Sequence, residues 1–242
     1  MVQIERANRE LKDFAYTVSH DLKTPLRGIK TLATWLSDDY ADKLDDRGKE
    51  QLDQLLERAD RMFNLIEGIL QYSRAGCLDE QVSLIDLNEL MPEIIDMVGP
   101  LDHVAVIIES ELPIIEFEPT RIKQIFQNLL SNAIKYMDKP HGQIRVSCIE
   151  QADCWQFRVA DNGPGIAKEH FERIFQLFQT LAPKDESDST GIGLALVKRI
   201  VETYGGTVWV ESELGCGSTF FFTVPKQNSR IRHAELQSNI IS

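Results

Sequence analysis

The chain has 242 residues, of which 43% are hydrophobic, and carries a formal net charge of -12. This length suits one large domain or two ordinary ones, and the charge argues against nucleic acid as a partner because phosphates would be repelled. No apolar run approaches the roughly 18 residues of a membrane span, and no signal peptide precedes the first helix. The sequence therefore predicts a cytoplasmic protein with no direct membrane span.

Two long amphipathic helices are predicted for residues 1–77. Apolar residues recur at helical spacing from Val2 to about Leu36, and a second stripe runs from Leu52 to Leu70 after a polar turn. The short connection makes the pair an antiparallel hairpin, whose apolar faces are too wide to bury within one chain. We therefore expect a homodimer in which two hairpins form a four-helix bundle.

The pattern changes after the hairpin, where short strand-like runs alternate with helical stretches. Helices are predicted for residues 87–98, 120–137 and 192–204. Strands are predicted for residues 103–109, 143–150, 154–161, 206–212 and 218–225. This mixture predicts an α/β domain over residues 82–226, with helices layered on a mixed sheet. The polar, unpatterned residues 227–242 are predicted to form a flexible tail.

The stretch SHDLKTPLRG places His20 opposite the apolar stripe of the first helix, with Thr24 one turn later on the same face. A lone surface histidine usually has no catalytic role. Here Asp21 can orient the imidazole and accept a proton, which leaves the other ring nitrogen as a nucleophile near neutral pH. Pro25 has no N–H, so the carbonyl of Asp21 loses its helical hydrogen bond, and we expect a bend or local unwinding there.

The sequence FAYTVSHDLKTPLRGI resembles the phosphoacceptor box of sensor histidine kinases, most closely that of phytochrome-like members. The resemblance implies that His20 is phosphorylated from ATP and that the phosphoryl group passes to the receiver domain of a response regulator. It also implies that Asp21 assists the transfer and that Thr24 positions water for a phosphatase reaction on that partner. An upstream sensor domain, absent from this chain, would supply the signal.

The segment RIKQIFQNLLSNAIKYM predicts a helix with one apolar face and one unusual polar face. The polar face carries Asn128, Asn132 and Lys135. Amide oxygens suit a Mg²⁺ ion that keeps some waters and bridges phosphates, and a lysine suits the phosphate charge. Asn128 and Asn132 are therefore candidate metal ligands, although an ordinary solvated face remains an alternative for this segment taken alone.

Two glycine-containing segments complete a candidate nucleotide site. In CWQFRVADNGPGI, strand alternation places Asp161 on the apolar side, where the exocyclic amine of adenine would donate a hydrogen bond to it. Gly163 and Gly165 would let the backbone pass close to a flat base. In STGIGLALVKRI, Gly191 and Gly193 introduce a helix whose free N–H groups would face a phosphate. Each segment alone is also compatible with a plain turn.

The order of these three segments matches the N, G1 and G2 boxes of the GHKL ATPase fold, an α/β sandwich shared by histidine kinases, gyrases, Hsp90 and mismatch-repair proteins. The stretch FERIFQLFQTLAPKDESDST resembles the F box and ATP lid of the kinases. The matched boxes extend the candidate ATP-binding set to Tyr136, Ile166, Phe175, Thr190 and Leu194. Two positions depart from the family: Thr180 replaces a phosphate-contacting arginine, and Ala195 replaces the last glycine of the G2 box.

The principal hypothesis is an ATP- and Mg²⁺-dependent protein histidine kinase. A non-catalytic, nucleotide-binding dimeric scaffold is one alternative, and Thr180 is the only feature that favours it. The other is a GHKL ATPase that uses water as the nucleophile. Such enzymes place an acid on the first helix of the pocket, where this chain has Asn128, a poor base.

Overall fold

The computed structural model describes residues 2–40, 42–76, 81–181 and 190–226, and for residues 2–16 and His20 it describes the backbone alone. The chain divides into two compact units. The hairpin unit comprises Met1–Arg74 together with Leu177–Ile192, and the sheet unit comprises Ala75–Gln176 and the chain from Gly193 onward. No helix in the described part of the chain combines the length and hydropathy needed to cross a membrane.

Two long helices form the hairpin unit, α1 (Val2–Asp39) and α2 (Asp46–Ala75). They run antiparallel, as shown by two ion pairs between them, Lys23 with Glu67 and Lys30 Nζ with Asp60 Oδ1 at 2.5 Å. Apolar side chains from both helices make the core between these ion pairs: Leu26, Ala59, Phe63 and Ile66. The predicted hairpin is therefore confirmed.

Helix α1 continues through Pro25 without a break. Of the bend or local unwinding expected at this position, the unwinding is therefore wrong. A proline removes one backbone hydrogen bond, but the turn around it is held from α2. Lys23 pairs with Glu67 and its ammonium lies 5.4 Å from the ring centroid of Phe63, while Leu26 is only 5% exposed. These contacts compensate for the lost bond and keep the helix intact.

The sheet unit contains two sheets. β1 (Ser83–Asp86) pairs antiparallel with β3 (Ile114–Phe117) in a two-stranded ribbon that the sequence did not predict. The five-stranded sheet has the order β2-β4-β5-β7-β6, with β2 parallel to β4 and every other pair antiparallel. Its strands are β2 (Val104–Ile108), β4 (Gly142–Glu150), β5 (Cys154–Asp161), β6 (Val208–Glu213) and β7 (Gly217–Pro225).

Three helices pack on one face of this sheet: α3 (Leu87–Val98), α4 (Pro119–Lys135) and α5 (Gly193–Thr203). Two short 3₁₀ helices, Lys168–His170 and Arg173–Phe175, follow β5. The predicted apolar face of α4 is buried throughout, and Phe126 on it contacts the stacked rings of Phe157 and Phe222. The structure thus confirms the predicted fold class, a helical hairpin followed by an α/β sandwich domain.

A buried polar cluster joins the start of α4 to the end of α5. Glu118 is fully buried and accepts a hydrogen bond from the hydroxyl of Tyr204, while Arg121 Nε lies 3.1 Å from Glu118 Oε1. The ring of Tyr204 also packs on Phe117, with 4.1 Å between centroids. A buried carboxylate is costly unless it is paired, so this cluster fixes the position of α5 relative to α4.

Candidate functional site

Asp161 lies at the end of β5 and is half-buried. Strand alternation places it on the same face as Phe157 and Val159, which are both fully buried. Its Oδ1 atom accepts hydrogen bonds from the backbone N–H of Gly163 at 2.9 Å and of Ser218 at 3.2 Å. Among the described residues both bonds go to Oδ1, so Oδ2 remains able to accept a hydrogen bond from a ligand.

The electrostatic environment of Asp161 is unusual for an aspartate. Burial raises the pKa of its carboxyl above the ordinary value, and the nearby charge of Asp138 adds to that rise. The hydrogen bonds from Gly163 and Ser218 offset part of the effect. A carboxylate with a raised pKa is incompletely stabilised in its charged form. A further donor, such as an amine, would therefore bind to it favourably.

The loop after Asp161 is held closely against the β6–β7 turn. Gly165 has a φ of +75°, and a Cβ at this position would lie 2.1 Å from the backbone oxygen of Glu213. The backbone N–H of Ile166 donates to Ser212 Oγ at 2.7 Å. A Cβ on Gly163 would lie 3.0 Å from Asp161 Oδ1. Glycine is thus required at position 165, and the loop presents its backbone beside the carboxylate.

Helix α4 carries the candidate polar face. Asn128 and Asn132 are half-buried, whereas Lys135, the last residue of the helix, is exposed. Asn128 Nδ2 donates to the backbone oxygen of Gln124 at 2.7 Å, which orients its amide. Tyr136 follows as the C-cap, and its backbone oxygen lies 3.6 Å from where a Cβ of Gly163 would be. The C-terminal end of α4 and the glycine loop are therefore neighbours.

Helix α5 begins at Gly193, beside the polar face of α4. A Cβ on Gly193 would lie 2.6 Å from Asn128 Oδ1, so a side chain at this position would require the Asn128 amide to move. Leu194, Ile166 and Phe175 pack against the core, and the Phe175 ring lies 6.4 Å from that of Phe220. The sheet unit thus brings together the candidates of the N box, the G1 box, the F box and the first turn of α5.

The remaining candidates lie in the hairpin unit. His20 is within α1, and Asp21 and Thr24 are exposed on the same helix. Thr190 and Gly191 lie in Leu177–Ile192, a later segment of the chain that also belongs to the hairpin unit. Gly191 has a φ of +68°, and its backbone oxygen accepts a hydrogen bond from the N–H of Phe178 at 2.9 Å. Most of the predicted lid, residues 182–189, lies outside the described residues.

Two serines support the site although the sequence did not predict them. Ser218 binds Asp161 through its backbone N–H, and Ser212 Oγ accepts from Ile166 and donates to the backbone oxygen of Gly217 at 2.7 Å. Both serines come from β6 and β7, far along the chain from Asp161. No local motif marks them, because the relevant contact depends on how β5 pairs with β7.

The donors on α4 suit a magnesium ion that is also bound by phosphates. Within the part of the chain that the structure describes, no three His, Cys, Asp or Glu side chains are grouped to hold a metal without a ligand. Asn132 and Asn128 offer amide oxygens only, and Asn128 Oδ1 already lies close to Gly193. Magnesium commonly binds through one or two protein oxygens together with phosphates and waters, so the residues present fit that mode.

Comparison with known families matches both parts of the chain. Residues 10–77 match the His Kinase A (phospho-acceptor) domain, and residues 117–228 match the histidine kinase-, DNA gyrase B-, and HSP90-like ATPase family. The chain belongs to the sensor histidine kinases. The family predicted from the phosphoacceptor box and the three nucleotide boxes is therefore confirmed, as is the GHKL type of the sheet unit.

Relatives of this histidine kinase include cyanobacterial phytochromes. Cyanobacterial phytochrome B of Nostoc sp. is 42% identical over 92% of this chain, and phytochrome-like protein Cph1 of Synechocystis sp. is 36% identical over 93%. The chain spans 30% of the length of each. These relatives confirm the predicted similarity to phytochrome-like members.

Solved structures show the same architecture. Full-length ShkA in complex with AMPPNP superposes with a TM-score of 0.67 and 29% identity, covering 88% of this kinase chain and 45% of ShkA. Histidine kinase ThkA, solved in complex with response regulator protein TrrA, superposes with a TM-score of 0.60 at 24% identity, covering 94% of this chain and 66% of the ThkA chain. The second likeness shows the fold alone.

Proposed function

We propose that this chain is the transmitter part of a sensor histidine kinase, in which ATP phosphorylates His20 and the phosphoryl group then passes to an aspartate of a response regulator. One observation supports this most strongly. A phosphoacceptor-type helix that contains His20 is joined in one chain to an ATPase-type domain with a half-buried carboxylate, Asp161, beside a glycine loop. Because ATP is the proposed donor, we place the reaction in the cytoplasm.

The adenine end of the site is assigned to Asp161 and the glycine loop. Asp161 Oδ2 would accept a hydrogen bond from the exocyclic amine of adenine, while Oδ1 is held by Gly163 and Ser218. Gly165 brings the backbone of this loop close to the β6–β7 turn without a side chain in the way. Tyr136, Ile166, Phe175 and Leu194 would surround the nucleotide in this proposal.

The phosphate end is assigned to α4 and to the start of α5. Asn132 and Asn128 would hold Mg²⁺, and Lys135 would contact a phosphate. When bound, the metal ion supplies positive charge to the phosphate oxygens. The N–H groups at the start of α5, where Gly193 has no side chain of its own, would donate to phosphate. Thr190 and Gly191 would contribute from the segment that precedes this helix.

His20 is the proposed nucleophile. One imidazole nitrogen forms a bond to the γ-phosphorus, the bond from that phosphorus to the bridging oxygen breaks, and ADP leaves. Asp21 would orient the ring and take up its proton. In the proposed second activity, Thr24 holds a water near the aspartyl phosphate of a docked response regulator. Its hydroxyl is too weak a base to activate that water, so its role is positioning.

A homodimer is the proposed assembly. Large apolar side chains on α1 and α2 are exposed in the single chain, among them Leu22, Ile29, Leu36, Leu55, Met62 and Ile69. They lie beside the core between the two helices rather than opposite it, which is the geometry of a seam in a four-helix bundle. A second copy of the hairpin would bury them, as the sequence predicts.

Incubation with γ-labelled ATP and Mg²⁺ tests this proposal and separates it from the alternatives. A histidine kinase should retain the label on the protein in a form that is stable to base and labile to acid. A nucleotide-binding scaffold would retain no label, and an ATPase that uses water would release labelled phosphate steadily. Transfer of the label to a purified receiver domain would then test the proposed partner.

A further inference from the structure

Two glycines in the interiors of the long helices have very different surroundings. Apart from its own helical backbone and chain neighbours, no described atom lies within 4 Å of the position that a Cβ on Gly28 of α1 would occupy. A Cβ on Gly68 of α2 would instead lie 2.7 Å from Ile192 Cδ1, 3.2 Å from its Cγ2 and 3.3 Å from its Cβ. Glycine is unfavourable in a helix interior. At position 68, the lack of a side chain allows Ile192 to approach α2 closely.

Ile192 fills the space that Gly68 leaves open. Both residues belong to the hairpin unit, and Ile192 is only 2% exposed although it lies outside any helix or strand. Its Cδ1, Cγ2 and Cβ atoms all lie close to the Cβ position of Gly68. A methyl group at position 68 would therefore force the Ile192 side chain to shift, because the contact to Cδ1 is too short to persist and the contacts to Cγ2 and Cβ would be tight.

The segment that presents Ile192 has a defined backbone. Phe178 donates its N–H to the oxygen of Gly191, and a Cβ on Gly191 would lie 2.7 Å from Gln179 N. Gly191 has a φ of +68°, and Phe178 has a φ of 63° without being a glycine. These features hold residues 177–179 against residue 191, so Ile192 is presented to α2 in one orientation.

This contact lies at the level of the phosphoacceptor. Gly68 follows Glu67, which pairs across the hairpin with Lys23, and Lys23 is three residues after His20. At a rise of 1.5 Å per residue, that spacing corresponds to about 5 Å along the helix axis. Ile192 therefore contacts α2 at the axial level of the turn of α1 that carries the proposed nucleophile.

We infer that Gly68 and Ile192 are positioning residues for autophosphorylation: the glycine forms a socket on α2 that sets where the segment before α5 docks on the hairpin. This inference rests on the proposed function, because it assigns the contact a role in the transfer from ATP to His20. Neither residue touches the reacting atoms in this account. Their effect is on the geometry of docking, to which transfer rates are sensitive.

The test compares Gly68→Ala with the matched control Gly28→Ala, using γ-labelled ATP at saturating concentration. Both changes replace a glycine by alanine within a long helix, where alanine is favoured, so the helices should stay folded, and the melting temperature of each variant checks this. We expect Gly68→Ala to reduce the autophosphorylation rate by at least about tenfold, since small misplacements have large kinetic effects. The affinity for a non-hydrolysable ATP analogue should be unchanged, and Gly28→Ala should label like the parent.

A compensating substitution distinguishes docking from a general defect. Ile192→Val removes Cδ1, the atom nearest to the added methyl group, and should restore most of the rate in the Gly68→Ala background. Equal rates for Gly68→Ala and Gly28→Ala, a faster rate for Gly68→Ala than for the parent, or no restoration by Ile192→Val would each overturn the inference. Failure of the parent protein to label would instead overturn the proposed function on which it rests.

Discussion

Asp161 combines three properties that separately are ordinary: it ends a strand, it is half-buried, and it accepts two backbone hydrogen bonds through one oxygen. Asp161→Asn keeps the shape and an acceptor for Gly163 and Ser218, but it places an amide donor opposite the adenine amine. We expect a loss of ATP affinity of at least about tenfold, the size expected for a hydrogen bond to a charged group. Isothermal titration with ATP and with GTP measures it.

The raised pKa of Asp161 gives this prediction a pH dependence. Because the folded state favours the protonated carboxyl, ionisation of Asp161 lowers the stability of the nucleotide-free protein as the pH rises through the folded pKa. Asp161→Asn should therefore melt no lower than the parent at pH 7. In the parent, ATP affinity should fall on acidification at a higher pH than the usual aspartate value of about 3.9.

Asp138→Asn is the matched control for this pair of effects. It removes the neighbouring negative charge that adds to the rise in the Asp161 pKa but leaves the Asp161 carboxylate in place. Affinity for ATP at neutral pH should remain near that of the parent. Equal binding of ATP and GTP by the parent, or an Asp161→Asn variant that binds ATP normally, would contradict the adenine assignment.

At the scale of elements, the buried cluster at Glu118 offers a test of how α4 and α5 are joined. Tyr204→Phe removes the hydroxyl that donates to Glu118 Oε2 and changes little else in the packing. Leaving a buried acceptor without this donor should reduce the free energy of unfolding by about 1–3 kcal/mol. Urea unfolding measures this free energy. The control is Tyr40→Phe, at a tyrosine that is 46% exposed, and it should change the free energy of unfolding by less than about 0.5 kcal/mol. Equal effects of the two substitutions would show that the cluster does not stabilise the domain.

Most elements could be predicted from periodicity because their apolar positions are strongly patterned. Helix α3 has the predicted bounds, and β5 matches the predicted residues 154–161. The strands β1 and β3 were not predicted, since each has four residues and too few alternations to give a clear signal. The 3₁₀ helices after β5 are shorter still.

The candidate site could be predicted only where a single segment supplies it. Asp161 and its following glycines stand together in the sequence, so their chemistry was visible there. The hydrogen bond from Ser218 to Asp161 joins residues 57 positions apart, and it depends on strand pairing that no local pattern specifies. The packing of Ile192 on Gly68 is equally non-local, and no local pattern in the sequence marks Gly68 for such a contact.

For the whole molecule, the exposed apolar seam of the hairpin predicts the oligomeric state. Ile29 is 49% exposed in the single chain, and a second hairpin would bury it. Ile29→Glu would place a charge in that dry seam, so we expect the protein to become monomeric in sedimentation experiments. The control Thr31→Glu introduces the same charge on the exposed outer face of α1 and should remain dimeric. A parent that sediments as a monomer would contradict the proposed bundle.

The central claim is that His20 receives the γ-phosphoryl group of ATP, and one comparison tests it directly. Parent and His20→Gln proteins are incubated with γ-labelled ATP and Mg²⁺, and nucleotide binding is measured for both. We predict acid-labile labelling of the parent, none of His20→Gln, and equal affinity of both for a non-hydrolysable ATP analogue, because His20 lies in the hairpin unit and the assigned adenine site lies in the sheet unit. Undiminished labelling of His20→Gln would contradict the account.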